Sequence, residues 1–221
     1  MKFRPINNDS KLIPDSTIVS IVAAYATSLI VVDFLLPYNN LNEDSTEDYT
    51  IRTRQTDHKK YISTLEWTID GHNLVTASED IIYVWNIDAN NEFQIIYSIS
   101  SSENEKICSC IILPDPYRQL PNTVITTNNM KTLRIAYSAY GNIYIWESDK
   151  TSKAIYSQYT QAIGKVSTYI KAHAGIICSL SSCLRPKSII NNMTEGPINE
   201  IILASSSNSK DNNLKLWSLN L

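Results

Sequence analysis

The chain is 221 residues long and 43% hydrophobic, with a formal net charge of −3 at pH 7 and only five glycines. That length suggests one domain or two small ones, able to bury roughly 70% of the surface of the unfolded chain. The slightly acidic balance leaves no basic footprint, so nucleic acid is not expected as a partner.

Residues 1–16 are polar, contain Pro5 and Pro14, and read as a loose lead-in to a body spanning 17–221. No Lys- or Arg-led apolar signal opens the chain. Reduced thiols are therefore expected at Cys108, Cys110, Cys178 and Cys183, and the sequons at Asn8 and Asn192 matter only in an exported protein. Ile18 to Leu36 is nineteen residues long and mostly apolar, near the length of a membrane-spanning helix. Asp33 lies inside it, where a bilayer would penalise a carboxylate, and its Ile and Val content favours strands. Two readings follow: two buried strands joined at Ala26–Thr27–Ser28, or a membrane anchor over 18–36.

Pro37 to Asp48 is an acidic, turn-rich loop. From Tyr61 onward the sequence breaks into short β-rich runs. "YISTLEW" alternates at period two, and "IDGHN" carries Asp70-Gly71, a strong hairpin signal. "LVTAS", "IIYVW", "EFQIIYSIS" and "KICSCIIL" follow; "PDPYRQLPN", 114–122, is a loop by its prolines. "TVITT", "TLRIAYS", "GNIYIWE", "KAIYSQY", "IICSLSSCL", "EIILASSS" and "NLKLWSL" complete the series. No long amphipathic helical period occurs, so the protein is expected to be all-β.

Three of the four tryptophans, Trp85, Trp146 and Trp217, end similar runs: "IIYVW", "NIYIW" and "NLKLW". Recurrence of this kind calls for a repeat reading. The stretch Asp57 to Asn86 and the stretch from Ala172 to Ser218 share an order. Each runs His, four residues to an apolar β-branched residue (Ile62, Ile177), a strand, a small-residue strand, an Asp, an apolar strand and Trp. This resembles the WD40 repeat, which implies a β-propeller of four-stranded blades around a channel. The resemblance implies that His bonds a Ser or Thr on the second strand and contacts the Asp of the following turn, with the Trp completing the chain of bonds. The matching sets are His58, Thr76, Asp80 and Trp85, and His173, Ser205, Asp211 and Trp217.

The departures are specific. No Trp is followed by Asp, and Asp80 lies one residue closer to its Trp than is usual in the family. In the third unit Tyr140 stands at the Asp position and no His precedes Ile107 at the right distance, so that unit should lack the network. The first unit has neither His nor Trp. The Trp spacings of 61 and 71 residues exceed the roughly 40–45 of a compact blade. About four blades are expected, in an incomplete or open propeller. Leu221 follows Trp217 by four residues, leaving no fourth strand for the last blade, and "MKFRPI" is a candidate to supply one. The chain would then be part of a longer propeller, complete its ring with itself or a partner, or close as a small irregular one.

Composition offers little chemistry. No phosphate loop, nucleophile elbow or clustered metal spacing occurs, so no cofactor, metal or catalytic residue is assigned. Tyr117 and Arg118 form an aromatic-plus-Arg pair of the type found in interaction loops. The resemblance implies a non-enzymatic scaffold, a WD-repeat subunit of an intracellular multiprotein complex, cytoplasmic or nuclear, binding proteins or peptides. The Arg that many ubiquitin-ligase receptor repeats carry after the Trp is missing from "NID", "ESD" and "SLN".

Overall fold

The computed structural model describes residues 1–5, 16–37, 49–87, 92–101, 105–114, 133–148, 164–186, 199–208 and 213–219. Among these, the regular elements are all strands, in four antiparallel sheets whose members follow one another in chain order. The protein is thus all-β, with the sequential antiparallel sheets of a WD40-like propeller. Ile, Val and Tyr at period two dictate this outcome, because they fill a pleated, half-buried surface better than a helical one. The chain divides into two compact units, Met1–Ser100 and Ser101–Leu221.

The first unit holds two sheets. Sheet 1 comprises β1 (Lys2–Phe3), β2 (Ser16–Tyr25), β3 (Ser28–Pro37) and β4 (Tyr49–Gln55). Sheet 2 comprises β5 (Thr64–Trp67), β6 (Asn73–Ala77), β7 (Ile81–Ile87) and β8 (Phe93–Ser100). Val22, Leu29 and Val31 of sheet 1 pack on Leu65, Trp67, Leu74 and Trp85 of sheet 2. Each buried indole removes roughly 150–250 Å² of ring from water, an upper contribution of about 4–6 kcal/mol. Arg4 bridges the two sheets. Its backbone N–H donates to Ser20 O, its Nε donates to Gly71 O at 2.8 Å, and its guanidinium lies 5.4 Å over the Trp67 ring. Burial lowers the Arg4 pKa; Asp33 opposes the shift and Arg52 adds to it. Gly71 fits the tight β5–β6 turn with φ 69°, and a Cβ there would meet Pro5 O at 2.5 Å.

The second unit repeats the plan. Sheet 3 comprises β9 (Ile107–Ile112), β10 (Arg134–Ala139), β11 (Asn142–Ser148) and β12 (Gly164–Lys171). Sheet 4 comprises β13 (Ile177–Pro186), β14 (Asn199–Ser207) and β15 (Asn213–Leu219). Ile143 and Ile145 of sheet 3 pack on Ile177, Leu180, Ile201 and Leu203 of sheet 4. Trp85, Trp146 and Trp217 all lie on the third strand of their sheets. In sheets 2 and 3 the register of the fourth strand slips by one residue beside the Trp, between Val84 and Trp85 and between Ile145 and Trp146. Sheet 1 has Val32 at the equivalent place, and its fourth strand pairs without a slip. The bulge thus accompanies the large indole.

Several expectations change. Ile18 to Leu36 is a strand hairpin and not a membrane-spanning helix: β2 and β3 pair from Ser16↔Pro37 to Tyr25↔Ser28. No described helix is long and apolar enough to cross a membrane. Asp33 is satisfied within the sheet, accepting from Ser20 Oγ and from Arg52 Nη2 of β4, both at 2.5 Å. "MKFRPI" does not close the last sheet; Lys2 and Phe3 pair with Val22 and Ile21 of β2. Two strands absent from the sequence reading, β4 and β12, are the outer members of sheets 1 and 3. Six of the seven β4 residues are exposed, so no burial period marks the strand in the sequence. "TVITT" and "KAIYSQY" lie outside the described residues.

Candidate functional site

The hydrogen-bond relay of sheet 2 begins at the loop before β5, which carries His58, and ends in the β6–β7 turn. Trp85 Nε1 donates to Thr76 Oγ1 at 2.8 Å. The His58 Nε2 atom lies 2.8 Å from the same Oγ1, and its Nδ1 lies 3.0 Å from Ser78 Oγ. Ser78 Oγ donates to Asp80 Oδ1 at 2.7 Å. Counting protons gives this chain a direction. Asp80 takes the single Ser78 proton, so Ser78 must accept from His58 Nδ1–H. The His58 Nε2 lone pair then accepts from Thr76, which is left to accept from the indole. A neutral imidazole with its proton on Nδ1 satisfies every member of this chain. Thr76 and Ser78 are fully buried and His58 nearly so. Burial pushes the His58 pKa down to about 4, against the opposing pull of Asp80 and Asp57. Tyr83 packs edge-on against His58 at 4.7 Å and against Trp85 at 5.7 Å, and burial raises its own pKa.

Ser78 is the member that sequence reading did not single out. It reaches Asp80 on behalf of the histidine, across the shortened turn that the Asp80-to-Trp85 spacing had marked. A hydroxyl two residues beyond Thr76 on the same strand face was the available signal.

Sheet 4 carries the second set. Trp217 Nε1 donates to Ser205 Oγ at 3.0 Å, and His173 Nε2 lies 2.9 Å from that oxygen. Ser205 and His173 are buried, and His173 Nδ1 has no partner among the described residues. Asp211, which the sequence resemblance placed in this set, lies outside the described residues, as do Tyr117 and Arg118.

Each relay histidine sits beside a joint with the preceding sheet. In the first unit the β2–β3 turn presents Ala26 O to Ile62 N–H at 2.9 Å, and Thr27 O accepts from Thr56 Oγ1. In the second unit the β10–β11 turn presents Tyr140 O to Ile177 N–H at 2.8 Å, and Gly141 O accepts from Ala172 and His173 N–H. Ile62 and Ile177 each follow a relay histidine by four residues. Ala26 and Tyr140, the first residues of these turns, both adopt positive φ, at 54° and 53°. At Gly141 a Cβ would sit 2.2 Å from His173 O, so the close approach itself demands glycine.

Among the described residues sheet 3 carries no histidine to form such a relay. Tyr137 occupies the position of Thr76 and Ser205, two residues beyond the partner of the Trp. It stacks on Tyr144 with centroids 5.1 Å apart and an interplanar angle of 16°. Tyr144 Oη donates to Glu105 Oε2 at 2.9 Å, and Tyr169 packs on the far side of Tyr144 at 5.3 Å. Burial, with smaller contributions from Tyr144, Cys110 and Glu105, pushes the Tyr137 hydroxyl up to about 12. Tyr140, read as standing in the Asp position, is the exposed first residue of the tight turn between β10 and β11.

The four cysteines are free thiols. Cys108 and Cys178 are the extra residues at equivalent bulges of β9 and β13. Among the described residues no group of three or more His, Cys, Asp or Glu side chains could hold a metal ion.

Sequential antiparallel sheets, a Trp on the third strand and a His–Ser/Thr–Trp relay are consistent with a WD40-like propeller fold. Residues 49–86 match the family described as WD domain, G-beta repeat, and the chain thus carries a WD40 repeat there. The match runs from β4 through β7: the repeat in sequence joins the outer strand of one sheet to the first three strands of the next. No curated protein matches the chain.

Proposed function

We propose that this protein is a non-enzymatic interaction scaffold, a WD-repeat subunit of an intracellular multiprotein complex in the cytoplasm or nucleus. What supports the reading is the relay-locked sheet 2 lying within the WD40 match at 49–86. A fully satisfied buried polar chain fixes one geometry of the sheet and holds its connecting loops in a constant frame. Such a frame suits recognition of proteins or peptides, and the fold does not name the ligand. In this reading His58, Thr76, Asp80 and Trp85 are framework residues, as are His173, Ser205, Asp211 and Trp217. The histidines orient strands and move no proton. Tyr117 and Arg118 are the proposed contact pair, and a partner or a second copy completes the propeller.

Chemical cross-linking of the tagged chain in cells, followed by identification of the attached proteins, tests this reading. The expected result is a small, reproducible set of partners that is reduced by Tyr117→Ala with Arg118→Ala. A chain that attaches to no protein above an unrelated β-protein control overturns the scaffold reading.

A further inference from the structure

Within the first unit, the segment Lys2–Pro5 makes little backbone pairing but places one side chain with care. β1 is two residues long, whereas β5, β9 and β13, the first strands of the other sheets, have four, six and ten. Its pairs are Lys2↔Val22 and Phe3↔Ile21, and both of its residues are exposed. One further backbone bond follows, from Arg4 N–H to Ser20 O. The Arg4 side chain, by contrast, enters the joint between sheets 1 and 2. Its guanidinium lies 5.4 Å over the Trp67 ring, and its Nε donates to Gly71 O at 2.8 Å. The Asp33 carboxylate supports its charge from sheet 1. An aromatic face, an acceptor for Nε–H and a nearby carboxylate are the elements of a guanidinium site. Gly71 also leaves room for the Pro5 backbone, since a Cβ there would meet Pro5 O at 2.5 Å. Trp67 Nε1 is buried with no partner among the described residues, so the indole beneath Arg4 keeps a donor that the segment does not use.

We infer that this groove between sheets 1 and 2 is a binding site for an extended, arginine-bearing peptide, and that Lys2–Pro5 fills it in cis as a displaceable strap. The chemistry that Arg4 uses fixes the occupant. A guanidinium is flat and weakly hydrated, so it stacks on an indole and donates to a carbonyl at once. A lysine ammonium is a strongly hydrated point charge and does not stack in this way. A neutral side chain loses the cation–π contact altogether. A partner strand that supplies its own arginine therefore replaces the strap like for like. The strap competes from an effective concentration on the order of millimolar. A partner gains the groove in proportion to the fraction of time that the strap is open. Release of two residue pairs is a local opening that leaves both sheets folded. The site uses neither Tyr117 nor Arg118, and so adds a second contact to the scaffold reading.

Titration calorimetry of the full chain carrying Arg4→Ala tests the pocket. Ethylguanidinium should bind this variant at least tenfold more tightly than it binds the wild type. Ethylammonium should not distinguish the two proteins. The chain lacking Lys2–Pro5 then tests the groove, with the synthetic peptide Met1–Pro5 as probe. It should bind the peptide at least tenfold more tightly than the full chain does. Arg4→Lys in the peptide should weaken binding at least tenfold, and Arg4→Ala should abolish it. If the shortened chain does not fold, hydrogen exchange of the full chain replaces this measurement. The Arg4 amide should then exchange at least tenfold faster than the Thr68 amide, which donates to Asn73 O. Ethylguanidinium that ignores the Arg4→Ala variant overturns the inference. So does a folded shortened chain that binds no peptide, or that binds the arginine and lysine peptides equally. An Arg4 amide as protected as that of Thr68 would make the segment a fixed strand, and that too overturns it. Each probe is a defined compound and none depends on partner capture, so this inference and the scaffold reading fail separately.

Discussion

At the second-strand position facing the relay, sheet 2 carries Thr76 and sheet 3 carries Tyr137. Thr76 joins an indole to an imidazole through one oxygen, and the chain continues to Ser78 and Asp80. Tyr137 makes a flat stack on Tyr144, which is tied by its hydroxyl to Glu105. Both sheets keep the third-strand Trp and the bulge beside it. The bulge therefore follows the ring and not the hydrogen bonds. A polar relay gives one arrangement and is unforgiving, because each lost member leaves buried groups unpaired. An aromatic stack is less directional and degrades gradually.

The largest break in this comparison should come from Thr76→Val. The valine fits the space but strands both Trp85 Nε1 and His58 Nε2, at an expected cost of about 2–4 kcal/mol. Thr76→Ser, which keeps the oxygen, should cost less than about 1 kcal/mol. Urea unfolding midpoints of the two variants give the difference directly; equal midpoints would remove the relay as a source of stability. Next in size is Gly141→Ala at the joint between sheets 3 and 4. The methyl would press on the His173 carbonyl, a backbone atom that cannot swing away, at about 1–3 kcal/mol. Protection of the Ala172 and His173 amides from hydrogen exchange should fall with it, since both donate to Gly141 O. Tyr144→Phe removes the hydroxyl's bond to Glu105, worth about 1 kcal/mol. It should leave the stack and its near-ultraviolet circular dichroism in place, whereas Tyr144→Leu should abolish that signal.

The two sheets also differ in how far sequence could see them. The relay of sheet 2 was legible in outline because His, Thr, Asp and Trp are rare enough at fixed spacing to signal one another. Ser78 was not, because a serine in a turn is common and its role depends on a side-chain direction that only coordinates give. The stack of sheet 3 was invisible. Tyr137 and Tyr144 read as ordinary strand residues, and their meeting depends on a cross-strand register. Likewise, β4 and β12 escaped notice because an outer strand buries too little to imprint a period. The hairpin of β2 and β3 was readable only as one of two options, since a nineteen-residue apolar run fits a membrane helix in length. What decided between them was Asp33, which found Ser20 and Arg52 across neighbouring strands.

The smallest expected effect is also the sharpest test of the difference, because sheet 2 holds a titratable ring where sheet 3 holds phenols. His58 is neutral in the relay, and its pKa is depressed from 6.5 to about 4, chiefly by burial. The unfolded chain therefore takes up the proton first as pH falls. The relay's contribution is complete above about pH 6.5 and declines between about 6.5 and 4; below that range both states are charged and the slope ends. At about 1.36 kcal/mol per unit the loss at pH 5 would approach 2 kcal/mol, and solvent screening brings it nearer 1 kcal/mol. Carboxylates titrate over the same range, so the measurement is a difference: urea midpoints at pH 7, 6 and 5 for the wild type and for His58→Gln. The wild type should lose about 1 kcal/mol more than the variant by pH 5. Parallel pH profiles would mean that the ring does not hold its neutral form in the fold. The direction of the relay, from indole to carboxylate, would then have to be redrawn with the imidazole charged and donating at both nitrogens.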